Sequence, residues 1–394
     1  MMPTKPRILI YSSEFLPFKG GVGRYAEDMA NLLSADGFAQ VTVFTETGNK
    51  KGYPERSLPF HVARFPNSLF ARHPWLNLLL NIYSSLGALL YARVQAPTWF
   101  ICTGKRAIFN AMFFQAFLGK TALAIVIHGS ELLHLEEAEG WRGNLMRKAF
   151  RRACQASRLI LISNRYAINQ FNTLPFAESA KIRLLYPIID PDRIHIDPTR
   201  VEHYRKAHFA KPLYSFVTLA RLTPRKGQDM VIRALSRFAR EVTDQFHYFI
   251  IGRGVYREEL NRLISAEGLD GRVTILESLD DLDAYALTSL CDLFVMPNRE
   301  HKGTVEGFGI SFLEGNLLGL PALAGKSGGS TEAVEEGGNG LVCDGDDPDD
   351  VYRQIRRFHD DAALRAGLKA GCRAHALERF SFAKWKGPYQ DAFR

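Results

Sequence analysis

Two glutamates, Glu306 and Glu314, stand with seven residues between them in VEGFGISFLEGNLLGL, and Gly307, Phe308 and Gly309 follow the first directly. The apolar run DLFVMP ahead of them reads as a buried strand, and FGISFLEGNLLGL reads as a helix with a glycine-packed start. A helix opened by glycine offers free N–H groups and its positive dipole end to a phosphate. This reading puts Glu306 just before the helix and Glu314 about two turns inside it. The arrangement suits a sugar nucleotide, with the pyrophosphate at the helix start and one carboxylate near each sugar. Paired carboxylates also hydrolyse glycosides. Along one helix axis, however, these two would lie roughly 12 Å apart at about 1.5 Å per residue, beyond the roughly 5 to 9.5 Å that hydrolysis uses. Binding fits better than acid–base work.

Other residues could serve the same ligand. ARLTPRKGQDMVIRAL sets Arg221, Arg225 and Lys226 around a proline turn before a helix. Cations there could neutralise charge growing on a leaving group, although Arg225 is best read as a solvated loop cation. His128 ends the strand ALAIVIH and is followed by Gly129, Ser130 and Glu131. The carboxyl end of a parallel sheet is its ligand side, and a neutral imidazole there can donate or accept a bond to a hydroxyl. KGGVGRYA nearly matches the dinucleotide fingerprint, yet the preceding loop SSEFLPFK is too long for that fold. A glycine loop opening a helix is left, with Gly20 and Gly21 able to approach an anionic group. Gly252 lies in a second strand-to-helix turn, IGRG. The acidic DGDDPDD fails the calcium-loop pattern, because Asp349 stands where glycine is needed and Ile355 where the last glutamate is needed. It reads as a polar loop capping the helix VYRQIRRF. No His/Cys cluster suggests zinc. In SNRYAINQF, Ser163 is the expected N-cap and Arg165 an acceptor-side candidate.

The elements that must position these residues alternate along most of the chain. RILIYSS, VTVFTE, HVARF, TWFICT, LAIVIH, LILIS and IRLLY read as strands, with helical patterns at about 23–35, 75–93, 106–118, 141–156 and 164–172. The stretch from Pro187 to Pro212 is polar, carries four prolines and lacks apolar periodicity, so a junction is expected there. A second series follows: LYSFVTLA, FHYFIIG, RVTIL, DLFVMP, PALAG and GLVCD. Two parallel α/β halves facing across a linker would make a cleft. The tail FSFAKWKGPYQDAFR reads as one amphipathic helix with Phe380, Phe382, Trp385 and Tyr389 near one face.

At 394 residues the chain has room for two such halves. Its 46% hydrophobic and 23% charged content is that of a globular protein. The net charge of +8 has no long Lys/Arg block behind it; the densest cluster, RKAFRR at 147–152, is on a predicted helix. A nucleic-acid partner is therefore not expected, and a membrane-surface contact is kept open. Five scattered cysteines without a C-x-x-C pair point to a reduced compartment. Residues 1–20 lack a signal-peptide pattern. The run WLNLLLNIYSSLGALLYA at 75–92 is interrupted by Asn77, Asn81, Ser84 and Ser85, which favours a buried or interfacial helix over a spanning one. A cytoplasmic setting is expected, with contact to the inner face of the membrane kept open.

E-G-F-G-x-S-x-x-E, followed by GLPALAGKSGG and GGNGLV, resembles the E-x7-E signature of retaining glycosyltransferases of family 4, which have the GT-B fold. EFLPFKGGVGRYAEDMANLL, HGSE and the R-x4-K-G of Arg221 and Lys226 are similar to further motifs of that family, so the resemblance spans nearly the whole chain. It implies two Rossmann-like domains: an acceptor domain at 1–200, a nucleotide-sugar domain at 201–378, and a terminal helix at 379–394 crossing back. By the same resemblance Arg221 and Lys226 grip the diphosphate and His128 lies beside the transferred sugar. Glu314 holds the ribose, while Glu306 and the backbone of Phe308, Gly309 and Ile310 contact sugar and phosphates. The Gly20–Gly21 loop faces the diphosphate and acceptor, and Gly252 lies near the nucleotide. No metal or other cofactor is implied.

VEGFGISFLEGNLLGLPALAGKSGG looks most like the mannosyltransferase side of the family. The expected reaction moves a hexose, first mannose from GDP-mannose, to a hydroxyl of a lipid-linked or oligosaccharide acceptor in envelope polysaccharide or glycolipid synthesis. UDP-glucose and UDP-N-acetylglucosamine are the next donors. Arg253 departs from the acidic or small residues usual after the IG turn, which bears on base recognition. A nucleotide-sugar epimerase and a non-catalytic nucleotide-sugar binder are the alternatives. Glu306 and Lys226 are expected outside the core.

Overall fold

The computed structural model describes residues 5–16, 20–45, 57–65, 74–108, 111, 119–137, 140–211, 213–243 and 245–394. The chain divides into two compact units, Met1–Ile188 with Phe382–Arg394, and Ile189–Ser381.

In the first unit, β1 (Arg7–Ser12), β2 (Gln40–Thr45), β3 (His61–Arg64), β4 (Trp99–Thr103), β5 (Ala122–Ile127), β6 (Leu159–Ile162) and β7 (Ile182–Leu184) form one parallel sheet. Its order is β3-β2-β1-β4-β5-β6-β7. The described helices are α1 (Gly21–Ser34), α2 (Pro74–Gln95), α3 (Ser130–Glu137), α4 (Gly140–Ala156) and α5 (Arg165–Asn172). The two faces of the sheet collect different helices. Leu9, Tyr11, Phe100, Ile125 and Ile160 pack with Ala88 and Leu89 of α2 and Phe150 and Ala153 of α4. Ile8, Ile10, Val43, Ile101 and Val126 pack with Tyr25, Met29 and Leu33 of α1. Both faces being covered, the inner strands β4, β5 and β6 are apolar throughout rather than alternating, whereas the edge strands β3 and β7 carry His61, Arg64 and Arg183. The expected helix at 106–118 falls largely outside the described residues. No helix among the described residues is long and apolar enough to cross a membrane.

The second unit repeats the plan with β8 (Tyr214–Leu219), β9 (Phe246–Ile251), β10 (Val273–Leu276), β11 (Leu293–Met296), β12 (Ala322–Gly325) and β13 (Gly340–Cys343). Its sheet is parallel, in the order β10-β9-β8-β11-β12-β13. Its helices are α6 (Pro198–His208), α7 (Gln228–Glu241), α8 (Arg257–Ala266), α9 (Asp281–Thr288), α10 (Ile310–Leu317), α11 (Ser330–Ala333), α12 (Pro348–Asp360) and α13 (Ala362–Phe380). In each sheet the first strand of the unit sits inside and the chain reverses beside it, between β1 and β4 and between β8 and β11. Such a switch point is where open parallel sheets take ligands.

The units part at Ile188, earlier than the expected boundary at 200. The stretch read as a linker belongs to the second unit: Ile189 N donates to Phe380 O at 2.9 Å, and Arg200 of α6 pairs with Asp280 at 2.7 Å and Asp283 at 2.9 Å. Asp197 caps α6 by accepting from Thr199 N, with Pro198 in the first turn. That Asp-Pro pair was a legible helix start. The tail also differs from one amphipathic helix. Helix α13 ends at Phe380, Ser381 is extended, and α14 (Phe382–Asp391) begins anew. Phe380 packs edge-on against Phe308 in the second unit, whereas Tyr389 is buried in the first and its hydroxyl donates to Tyr186 O at 2.9 Å. Gln390 donates to the carbonyls of Leu32 and Ala35 at the end of α1.

Candidate active site

Lys226 and Glu306 meet at the carboxyl ends of β8 and β11. After β8 the chain turns through Pro224–Lys226 in a single tight turn and enters α7 at Gly227, whose φ is +74°. A Cβ on Gly227 would lie 2.1 Å from Pro297 O, so the loop rests directly on the end of β11. From it Lys226 Nζ donates to Glu306 Oε2 at 2.6 Å, and Arg225 Nη1 donates to the same oxygen at 2.5 Å and to Val305 O at 3.0 Å. Behind Glu306, Gly329 N donates to its carbonyl at 2.9 Å.

Both partners are buried: Glu306 is 9% and Lys226 8% exposed. The expectation that neither is a core position is therefore corrected. Burial pushes the Glu306 carboxyl up, but Lys226 and Arg225 outweigh it and hold its pKa at about 2. The Lys226 ammonium is below the ordinary lysine value, because burial and the Arg225 charge together outweigh the pull of Glu306. One carboxylate thus serves two cations, with exposed Arg221 contributing further positive potential. The cluster is short of negative charge, which is the condition for seating an anion. Arg225, expected to be solvated, is instead the second arm of this clamp.

Gly309 opens α10 in the left-handed conformation, φ +87° and ψ +61°, and a Cβ there would come 2.5 Å from the Phe312 ring. The first turn of α10 has no side-chain cap. Glu314 is the fifth residue of that helix, one turn inside rather than two, because the helix begins at Ile310. Glu306 lies in irregular chain before it, so the spacing along a helix axis does not apply to the pair. Tyr285 of α9 donates to Glu314 Oε1 at 3.3 Å. Gly252 follows β9, where a Cβ would lie 1.9 Å from Ala220 O, tying that turn to the end of β8. Arg253 folds away onto the Glu277 carbonyl and Ser278 Oγ.

Three supports went unread in the sequence. Arg299 and Asp229, both buried, pair at 2.7 Å, and Arg299 N donates to Arg225 O at 3.0 Å, so this pair braces the cation loop. Fully buried Asn298 accepts from Gly325 N and donates to Ser327 O, joining β11 to the GKSGG turn. For Asn298 and Arg299, polar residues right after an apolar strand were the available signal.

In the first unit, His128 stands at the end of β5. Its Nε2 lies 3.1 Å from Thr103 Oγ1, and its ring packs edge-on against Tyr25 at 4.9 Å. Burial lowers its pKa below the ordinary 6.5, against a smaller opposing pull from Glu131, so the imidazole is neutral at pH 7. Glu131 Oε2 accepts from His128 N at 3.0 Å, and Asn164 donates to His128 O at 3.3 Å. Asn164, not Ser163, caps α5, accepting from Ala167 N at 2.7 Å; Arg165 is exposed. Gly20 and Gly21 open α1 without a side-chain cap, and among the described residues nothing lies within 4 Å of a Cβ placed on Gly21. The structure thus gathers Lys226, Arg225, Glu306 and Gly309 in one unit, and His128 with the α1 start at strand ends of the other.

Among the described residues no three His, Cys, Asp or Glu side chains are grouped to hold a metal. Asp347 caps α12, accepting from Asp349 N. The five cysteines are free and buried.

Two parallel sheets, each with a ligand-side switch point, and a charge-deficient clamp beside an uncapped glycine helix start define a GT-B glycosyltransferase. The glycosyl transferases group 1 model matches residues 201–374 and the glycosyltransferase family 4 model matches residues 19–193. The chain belongs to this family. It is 29% identical to the GDP-mannose-dependent alpha-(1-6)-phosphatidylinositol monomannoside mannosyltransferase of Mycolicibacterium smegmatis, over 95% of either chain. It is 26% identical to the GDP-mannose-dependent monoacylated alpha-(1-6)-phosphatidylinositol monomannoside mannosyltransferase of Corynebacterium glutamicum, over 97% of this chain and 96% of that one. Among solved structures, Anabaena HepE in complex with UDP and glucose superposes with a TM-score of 0.78 at 20% identity, over 98% of both chains. Sucrose-phosphate synthase from Thermosynechococcus elongatus gives 0.80 at 15% identity, over 99% of this chain and 98% of that one.

Proposed function

We propose that this hexosyltransferase moves mannose from GDP-mannose, with retention, to a hydroxyl of a glycolipid acceptor. The observation that carries the transfer reading is the buried Glu306 carboxylate shared by Lys226 and Arg225. The relatives whose names specify GDP-mannose and phosphatidylinositol mannoside span nearly the whole chain, which supports this donor and acceptor class.

In this reading Lys226 and Arg221 take the diphosphate and stabilise the charge that builds on it as the glycosidic bond breaks. Backbone N–H groups at Phe308, Gly309 and Ile310 add donors at the positive end of α10. Glu314 holds the ribose. Glu306, ionised across the working pH range, faces the sugar and the positive charge developing at its anomeric carbon. Neutral His128 holds a sugar hydroxyl, and Gly20 and Gly21 let the α1 start come close to the diphosphate. No metal takes part, so a chelator is expected to leave the rate unchanged; a strong loss would bring metal chemistry back.

The test is a thermal scan with GDP, UDP, ADP and NAD, followed by transfer assays with the matching hexose conjugates. A ligand at 100 times its Kd adds about 2.7 kcal/mol, readily visible in such a scan. Stabilisation by GDP alone and transfer from GDP-mannose are expected. Stabilisation by UDP alone replaces the donor, and release of free sugar without an acceptor favours an epimerase.

A further inference from the structure

His128 is gripped from several sides, and one ring nitrogen is left over. Its main chain is held at both ends: Glu131 Oε2 accepts from its N–H at 3.0 Å, and Asn164 Nδ2 donates to its carbonyl at 3.3 Å. Its ring rests edge-on against Tyr25, with the two planes at 84°. Tyr25 is itself fixed, because its hydroxyl donates to Leu185 O at 2.9 Å. Nε2 lies 3.1 Å from Thr103 Oγ1. That leaves Nδ1, which has no hydrogen-bond partner among the described residues.

Thr103 ends β4, next to β5 in the sheet, and is the one hydroxyl in the fully buried strand WFICT. Among the described residues, His128 Nε2 is the single partner of that hydroxyl. Two arrangements fit the distance. If Thr103 accepts from an Nε2–H, its own hydroxyl proton is buried with no acceptor. If Thr103 donates to a bare Nε2, only oxygen lone pairs go unused. A buried donor without a partner is the rarer and costlier defect. The ring is neutral at pH 7 and therefore carries one N–H. With Nε2 bare, that proton is on Nδ1.

We infer that Thr103 is a positioning residue for transfer: its hydroxyl fixes the His128 tautomer with the proton on Nδ1, so that His128 meets a sugar hydroxyl as a hydrogen-bond donor. This rests on the reading that His128 holds a sugar hydroxyl, and it assigns the direction of that bond. A general base needs a bare nitrogen facing the ligand, whereas the bare nitrogen here faces Thr103. The same bond favours the neutral ring, adding to the effect of burial. Two titratable groups touch His128. Glu131 of α3 pulls the other way from the backbone side, and Tyr25 of α1 keeps its proton because burial raises its pKa. Asn164, at the start of α5, carries no charge.

The first measurement is the ring-nitrogen NMR pattern of the full chain with isotope-labelled histidine at pH 7, using His128→Gln to assign the signal. An Nδ1–H ring is expected, and Thr103→Val should turn it into a mixture of both tautomers. The second measurement is transfer from GDP-mannose. Thr103→Val replaces the hydroxyl by a methyl of the same shape. It should lower kcat about fivefold, the worth of one hydrogen bond, and move the acid limb of kcat/KM to higher pH, because the neutral ring has lost its donor. Thr103→Ser keeps the hydroxyl and should restore most of both, whereas a merely structural role would change Tm without moving the limb. An Nε2–H tautomer in the parent, or a valine variant with unchanged kcat and acid limb, would overturn the inference. If His128→Gln slows transfer and Thr103→Val does not, the reading of His128 stands and the role of Thr103 alone falls. If His128→Gln transfers normally, both fall together.

Discussion

Lys226 Nζ donates to Glu306 Oε2 across 2.6 Å, inside a site where neither residue is more than a tenth exposed. A lysine held this way cannot give its full charge to a diphosphate unless the glutamate has another partner. Arg225 is that partner, at 2.5 Å from the same oxygen. If Lys226 takes the diphosphate as proposed, Arg225 leaves it free to turn while Glu306 stays ionised.

Arg225→Gln therefore tests a positioning role that R-x4-K-G alone does not assign. The donor KM is expected to rise about tenfold, because Lys226 must then break its bond to Glu306 without a replacement. Arg225→Lys should recover part of that loss, since it restores the charge while losing the second bond to Val305 O. Steady-state kinetics on both variants separates this from a general loss of fold, which the lysine variant would not repair.

Lys226→Ala should lower kcat by about 10² to 10³, the scale of one lost transition-state donor, and leave the protein folded because Arg225 still neutralises Glu306. Glu306→Ala is a different experiment. It strands two cations in a buried site, a loss on the order of 3 to 5 kcal/mol. Glu306→Gln keeps the shape and is the fair test of activity; single-turnover transfer with GDP-mannose is the measurement, and near-normal turnover would remove Glu306 from the site.

The Glu306 pair also sets a pH dependence of stability. Its carboxyl titrates near 2 in the folded chain against an ordinary 4.5, so its contribution is complete above 4.5 and is lost as pH falls from there toward 2. The gap in Tm between the parent and Glu306→Gln should accordingly be constant at neutral pH and shrink below 4.5. Activity follows other groups. Protonation of His128, below its ordinary 6.5, should give the acid limb of kcat/KM, and loss of the Lys226 proton, below its ordinary 10.5, the alkaline limb. His128→Gln should flatten the acid limb while leaving the alkaline one.

Much of this site was readable because it depends on local order. The inner strands β4, β5, β6 and β11 are continuous apolar runs, and the runs alone located them. Glu306, Glu314 and Gly309 could be named from spacing and glycine placement, and Lys226 from the resemblance of its R-x4-K-G to the family's pattern. What was missed depends on contacts between segments far apart in the chain. Arg225 looked like a solvated cation because nothing local announces Val305 O or Glu306 as its partners. Arg299 and Asp229 are likewise joined only once β8 and β11 lie side by side. The break at Ser381 was hidden because Phe380 and Tyr389 are both buried aromatics, and the sequence does not say that they are buried in different units.

Gly309→Ala should fail for a backbone reason. At φ +87° an alanine costs about 1 to 2 kcal/mol, and its Cβ would press on Phe312 at 2.5 Å. A Tm several degrees lower, with transfer reduced in step, is expected in a thermal scan and a donor-saturation curve.

Gly21→Ala separates binding from folding in the opposite direction. Gly21 starts α1, and a Cβ there meets nothing within 4 Å among the described residues. Alanine should stabilise the helix end by about 0.5 to 1 kcal/mol, because glycine surrenders more backbone freedom on folding. If the α1 start approaches the diphosphate, the added methyl must stand between them, so donor KM should rise while Tm stays level or increases. A Tm gain with unchanged KM would show that no ligand comes close to Gly21, and the α1 start would then be a helix terminus with no part in transfer.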